Sequence, residues 1–112
     1  MTSTAANENY ILLCDITEPQ EDSGLLIPFD DRANVAVFKY EGQFYVMDDK
    51  CSHGDASLCE GEIDGDEVEC PFHAGAFSFV TGEPTAAPCT IPMKVYRTKV
   101  IEDKLYMVNE HA

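Results

Sequence analysis

Two Cys-His pairs constrain this chain more than any other feature. Cys51-Ser52-His53 and Cys70-Pro71-Phe72-His73 are separated by sixteen residues, so two thiols and two imidazoles fall within 23 residues. If they close one metal site, the fold must bring both segments together. The donor types allow structural zinc, a redox mononuclear iron, or a binuclear iron-sulfur cluster with mixed ligation.

At 112 residues the chain is read as a single domain, 1–112, able to bury roughly two-thirds of its unfolded surface in one core. Its 45% apolar and 25% charged residues are globular rather than disordered composition. Twenty-one carboxylates face seven Lys and Arg, a formal charge of -14. Phosphate binding needs clustered cations, so no nucleic acid and no anionic membrane surface is expected as a partner. Nine of the carboxylates lie between Asp48 and Glu69 against one lysine. Such a stretch serves either as a solvated hairpin or as a steering surface for basic protein partners.

Met1 to Asn9 lacks a cationic start and an apolar run, and no stretch has the length of a membrane span, so the expected location is cytoplasmic. Five cysteines, an odd number, fit a reducing compartment better than a disulfide framework. Cys51 and Cys70 have a use; Cys14, Cys59 and Cys89 have no obvious one, although Cys59 neighbours the candidate site.

The rest of the sequence reads as all-β. Tyr10 to Asp15 is a first strand, and Leu25 to Phe29 a second, broken at Pro28. Ala33 to Tyr40 and Gln43 to Met47 form a hairpin around Glu41-Gly42, where Gly42 takes positive φ. Cys51 to Gly61 has no periodicity and is expected to be a loop rather than a helix. Glu62-Ile63 and Glu67 to Cys70 flank a turn at Asp64-Gly65-Asp66. Ala76 to Val80 alternates as a half-buried strand would. Pro84, Pro88 and Pro92 imply a stiff connection of low regular structure, suited to a lid. Met93 to Ile101 and Lys104 to Val108 make a final pair around Glu102-Asp103. The four candidate ligands thus fall at the tips of two loops.

Each loop offers one cysteine and one histidine, whereas zinc modules more often group like ligands or span a knuckle. One Cys and one His per loop suits a binuclear site in which both thiolates bind one iron and both imidazoles the other. The pattern Cys51-x-His53, sixteen residues, Cys70-x-x-His73 resembles the Rieske 2Fe-2S motif. The resemblance extends to Gly42-Gln43-Phe44-Tyr45, Cys51-Ser52-His53-Gly54, Thr81-Gly82 and the proline segment, covering roughly residues 10–108. It implies one 2Fe-2S cluster held by Cys51, His53, Cys70 and His73. It also implies an antiparallel, sandwich- or barrel-like β base with a small inserted cluster-binding subdomain, approximately 48–83.

Within that family the chain is most similar to small ferredoxins of bacterial aromatic-ring-hydroxylating dioxygenases. The resemblance implies a carrier that moves single electrons from a flavoprotein ferredoxin reductase to a terminal oxygenase in aromatic compound catabolism. Alternatives are a Rieske subunit of another redox complex, such as a nitrite reductase small subunit, or a structural zinc module. A carrier must leave one partner to reach the next, which favours a monomer. The 2-His-1-carboxylate iron site of a Rieske oxygenase cannot be assembled, because only His111 follows His73, so the chain is read as a carrier and not an enzyme. Respiratory Rieske proteins have a loop disulfide where this chain has Ala56 and Phe72, and hydroxyl donors where it has Gly75 and Phe77. Losing those donors destabilises the reduced cluster and places the potential at the low end of the family's range, near about -150 mV.

Overall fold

A computed structural model of the chain describes residues 9–52, 56–71 and 75–109. The described residues form strands with no α-helix, in keeping with the missing 3.6-residue apolar period. All named strand pairs are antiparallel.

The first sheet places β11 (Lys104–Asn109) between β1 (Asn9–Asp15) and β10 (Thr98–Ile101). The second runs β2 (Leu25–Ile27), β3 (Val35–Tyr40), β4 (Gln43–Asp48), β9 (Val95–Tyr96). The third runs β5 (Ile63–Asp64), β6 (Glu67–Glu69), β7 (Ala76–Ser78), β8 (Pro84–Ala86).

One strand serves two cores. Successive side chains of a strand point to opposite faces, and the first four residues of β3 are all buried. Val35 and Val37 enter a core shared with the first sheet, among Val46, Leu105 and Met107. Ala36 and Phe38 enter a second core with Met47, Leu58, Val68, Phe77 and Phe79. β4 divides in the same way, with Val46 on one side and Met47 on the other. The β3–β4 hairpin is therefore the common wall between the base and the third sheet.

Stacked rings join the two parts. Phe79, just past β7, lies parallel to Phe38 with centroids 4.8 Å apart, and Tyr45 and Tyr40 approach it at 5.8 and 6.0 Å. Aromatic pairs at such separations add to the hydrophobic gain of burial.

The hairpin turns are as expected where glycine marks them. Glu41 and Gly42 take φ of 51° and 78°, the double positive φ of a type I′ turn. The Glu21 carboxylate accepts both of their N–H groups at 3.2 Å. Glu102 and Asp103 adopt φ of 50° and 66° without a glycine, a strained solution that places the Asp103 carbonyl 3.1 Å from the Ile16 N–H.

Four expectations are corrected. Pro84 to Ala86 is a strand, β8, rather than loop: it sits at the sheet edge, where proline's missing N–H leaves no ladder bond unmade. β7 is buried on both faces instead of half-buried, because its third residue, Ser78, satisfies its hydroxyl on Asp66 at 3.1 Å. Met93 to Ile101 divides at Arg97 into β9 and β10, which belong to different sheets. The loop after Cys51 contains one 3-10 turn, Leu58–Glu60, whose Leu58 anchors the second core.

Replacing Phe79 by alanine removes the ring that joins the two parts. The expected loss is about 3–5 kcal/mol in urea unfolding, against about 0.5 kcal/mol or less for Val80→Ala next to it on the surface. A Phe79→Ala loss as small as that of Val80→Ala contradicts the shared-wall architecture.

Candidate metal centre

Cys51 and Cys70 stand at the entrances of two loops built on the same frame. In the first, Lys50 bridges Ser57, and the Cys51 N–H donates to the Ala56 carbonyl at 2.9 Å. In the second, Glu69 pairs with Ala76, and the Cys70 N–H donates to the Gly75 carbonyl at 2.8 Å. Each cysteine thus closes a loop on the residue five positions on, leaving a four-residue tip, 52–55 or 71–74. His53 is the second residue of one tip and His73 the third of the other; both lie outside the described residues, as does Phe72. Both cysteines are held in the second core, 2% and 1% exposed.

The first loop depends on a buried carboxylate. Asp49 is 6% exposed, and its oxygens accept the Ser57 hydroxyl at 2.6 Å and the Cys59 N–H at 3.0 Å. Its own N–H donates to the Asn34 carbonyl at 3.0 Å, and its carbonyl accepts the Leu58 N–H at 2.8 Å. A buried charge with such partners is costly to disturb. One residue earlier, Asp48 accepts the Tyr96 hydroxyl at 2.6 Å, and that hydroxyl accepts from Arg32 at 2.8 Å. Burial, then Asp48, push the Tyr96 phenol up to about 12, with Arg32 opposing. The strand feeding Cys51 is fixed from both sides.

A third segment lies against the two loops. The Ser52 hydroxyl donates to the Ile91 carbonyl at 2.6 Å, tying the first tip to the proline segment. Gly82, at φ 82°, accepts the Met93 N–H at 2.8 Å, and a β-carbon there would lie 2.3 Å from the Met93 carbonyl oxygen. Cys89 fills the remaining space. It is 4% exposed, and its Sγ lies 2.3 Å from where a β-carbon on Gly75 would sit. Burial, then the neighbouring Cys51, push its thiol up to about 11, so it is protonated at neutral pH.

Of the residues that sequence singles out, the structure brings Cys51 and Cys70 into one core. Cys59 is structural: its N–H rests on Asp49 and its Cα lies 2.7 Å from where a Gly24 β-carbon would be. Cys14 sits in the other core, its thiol raised to about 11 chiefly by burial. No disulfide joins any of the five cysteines, all of which are described residues. Sequence reasoning missed Asp49 and Cys89. The signal for Cys89 was its place in the proline segment already read as a cover.

Comparison with known proteins decides between the donor chemistries. Residues 11–97 match the model of the Rieske [2Fe-2S] domain. The chain belongs to the Rieske [2Fe-2S] domain family. It is 39% identical over 104 residues to ferredoxin CarAc of Metapseudomonas resinovorans, spanning 93% of this chain and 97% of that one. The ferredoxin of Sphingomonas yanoikuyae B1 superposes with a TM-score of 0.87 at 31% identity, covering 91% of this chain and all 100% of that one. A chain in the complex of reduced oxygenase and oxidized ferredoxin in carbazole 1,9a-dioxygenase superposes at 0.85 with 39% identity, covering 92% and 95%.

The Rieske cofactor is one 2Fe-2S cluster, and the site fits it chemically. Two thiols kept from water at the feet of matched loops are soft donors suited to iron-sulfur ligation. Among the described residues no group of three or more His, Cys, Asp or Glu is arranged as a metal site, and His53 and His73 lie outside them.

Gly75 and Cys89 compete for one volume, which gives a test. Gly75→Ala is expected to cost about 1–3 kcal/mol through overpacking, read as a lower thermal midpoint. Adding Cys89→Ala recovers most of that loss, because the sulfur is the nearest obstruction. Additive losses contradict the packing described.

Proposed function

We propose that Cys51 and Cys70 bind one iron of the Rieske cluster and His53 and His73 the other. In this reading the chain is a cytoplasmic, monomeric single domain, 1–112, with its cluster-binding part at approximately 48–83. It carries single electrons from a flavoprotein reductase to a terminal ring-hydroxylating dioxygenase. The observation that carries the reading is the matched pair of loops, each closed by the N–H of its own cysteine. Relatives and structural neighbours named as dioxygenase ferredoxins support the electron-carrier role.

When bound, the cluster supplies a one-electron couple. The chain's own contribution is to hold the thiols in fixed orientation. It also excludes water from them. Among the described residues no helix is long and apolar enough to cross a membrane, and none is needed for diffusion between partners. Neutral imidazoles in place of two thiolates lower the negative charge on the reduced cluster, so reduction is easier than with four cysteines.

Approach is governed by charge. Asp64, Glu67 and Glu69 surround the hairpin that leads to Cys70, and Glu60 and Glu62 precede it. Partners with basic docking patches are steered toward this hairpin, and the contact is expected to be small and transient.

The test is reconstitution with a flavin reductase and a ring-hydroxylating oxygenase. Product formation should require this protein and slow as ionic strength rises toward about 1 M, where the Debye length is about 3 Å. Product formation without it contradicts the carrier role, and rates indifferent to salt contradict steering.

A further inference from the structure

The two ligand loops close alike but rest on different supports. Below Cys70 the two legs form a ladder of three antiparallel pairs, Glu67–Ser78, Val68–Phe77 and Glu69–Ala76. Below Cys51 the legs meet at a single bridge, Lys50–Ser57. One more backbone bond, from the Leu58 N–H to the Asp49 carbonyl at 2.8 Å, ends the pairing, and the chain turns away through the 3-10 turn Leu58–Glu60.

A side chain takes over where the ladder stops. Asp49 and Val68 each stand two residues before their cysteine. Val68 is wholly buried among apolar side chains, as befits a strand residue paired on both sides. Asp49 is almost as deeply buried, and both its oxygens reach the returning leg. Oδ2 accepts the Ser57 hydroxyl at 2.6 Å and Oδ1 the Cys59 N–H at 3.0 Å. The Asp49 N–H donates to the Asn34 carbonyl, and the Asn34 side chain accepts the Phe29 N–H at 2.8 Å. One residue thus ties the foot of the first loop to the base on one side and to the returning leg on the other. Hydrogen bonds to a carboxylate are stronger than those between neutral groups, and burial removes the competition of water.

We propose that Asp49 is a positioning residue whose carboxylate stands in for the missing strand pairs beneath the first loop and so fixes where Cys51 presents its sulfur. The inference rests on the ligand assignment above. A buried N–H or hydroxyl deprived of its partner is expensive, so removing the carboxylate loosens the first loop and spares the second. Asparagine at 49 keeps an oxygen for the Cys59 N–H and offers an N–H to the Ser57 oxygen, which preserves the geometry without the charge.

The experiment is hydrogen exchange, read by mass spectrometry, on the cluster-loaded wild type, Asp49→Ala, Asp49→Asn and Ser57→Ala. An electron paramagnetic resonance spectrum is taken of each dithionite-reduced protein. In Asp49→Ala the amides of 57–62 are expected to exchange about tenfold faster, while those of 75–80 change by less than about twofold. Asp49→Asn stays within about threefold of the wild type in both segments. The g values of the reduced cluster shift in Asp49→Ala and return in Asp49→Asn. Where Asp49→Ala is not recovered folded with its cluster, Ser57→Ala decides: it removes one of the two side-chain bonds and speeds 57–62 alone by about threefold. Equal acceleration in both segments, or none in 57–62, overturns the inference. So do g values that stay unchanged in Asp49→Ala, or an Asp49→Asn protein as loose as Asp49→Ala. A Cys51→Ser protein with the wild-type visible spectrum overturns the ligand assignment instead and leaves the exchange contrast standing.

Discussion

The whole site depends on one backbone hydrogen bond made twice, from the N–H of a cysteine to the carbonyl five residues on. A buried N–H without an acceptor is expensive, so each loop has few ways to close, and the one chosen fixes the cysteine's direction. Because the two frames are alike, the thiols reach the same core from adjacent hairpins. The β3–β4 hairpin makes this possible by being buried on both faces, with Phe38 on the side that receives the third sheet. A change in the stacking of Phe38 and Phe79 acts on the loops through that wall, not by touching them.

Much of this architecture was legible before any coordinates. The Glu41-Gly42 and Asp64-Gly65 turns declare themselves because glycine is the residue that accepts positive φ without strain. The ligand pattern is read from the sequence for a chemical reason: one thiol and one imidazole per loop suits a two-metal centre. Other features were hidden for physical reasons. Pro84 looks like a breaker until its edge position is known. Ser78 looks like a solvent-facing residue until Asp66 is placed beside it. Cys89 carries no local signal, since its approach to Gly75 crosses a long stretch of chain. The disposition of His53 and His73 falls outside the described residues, so their role stands on sequence pattern and kinship.

Among the described carboxylates of 48–69, Asp48, Asp49 and Asp66 hold Tyr96, Ser57 and Ser78, while Glu60, Glu62, Asp64 and Glu69 are exposed. Ile91 is 59% exposed while its carbonyl holds Ser52, so an apolar side chain sits beside the first tip.

The most direct check of the central claim is pulsed electron paramagnetic resonance of the dithionite-reduced protein, resolving nitrogen couplings to the cluster. Mixed ligation predicts two imidazole nitrogens coupled to one paramagnetic centre, with one lost in each of His53→Ala and His73→Ala wherever a cluster remains. A cluster without nitrogen coupling, or a colourless protein that binds zinc instead, contradicts it.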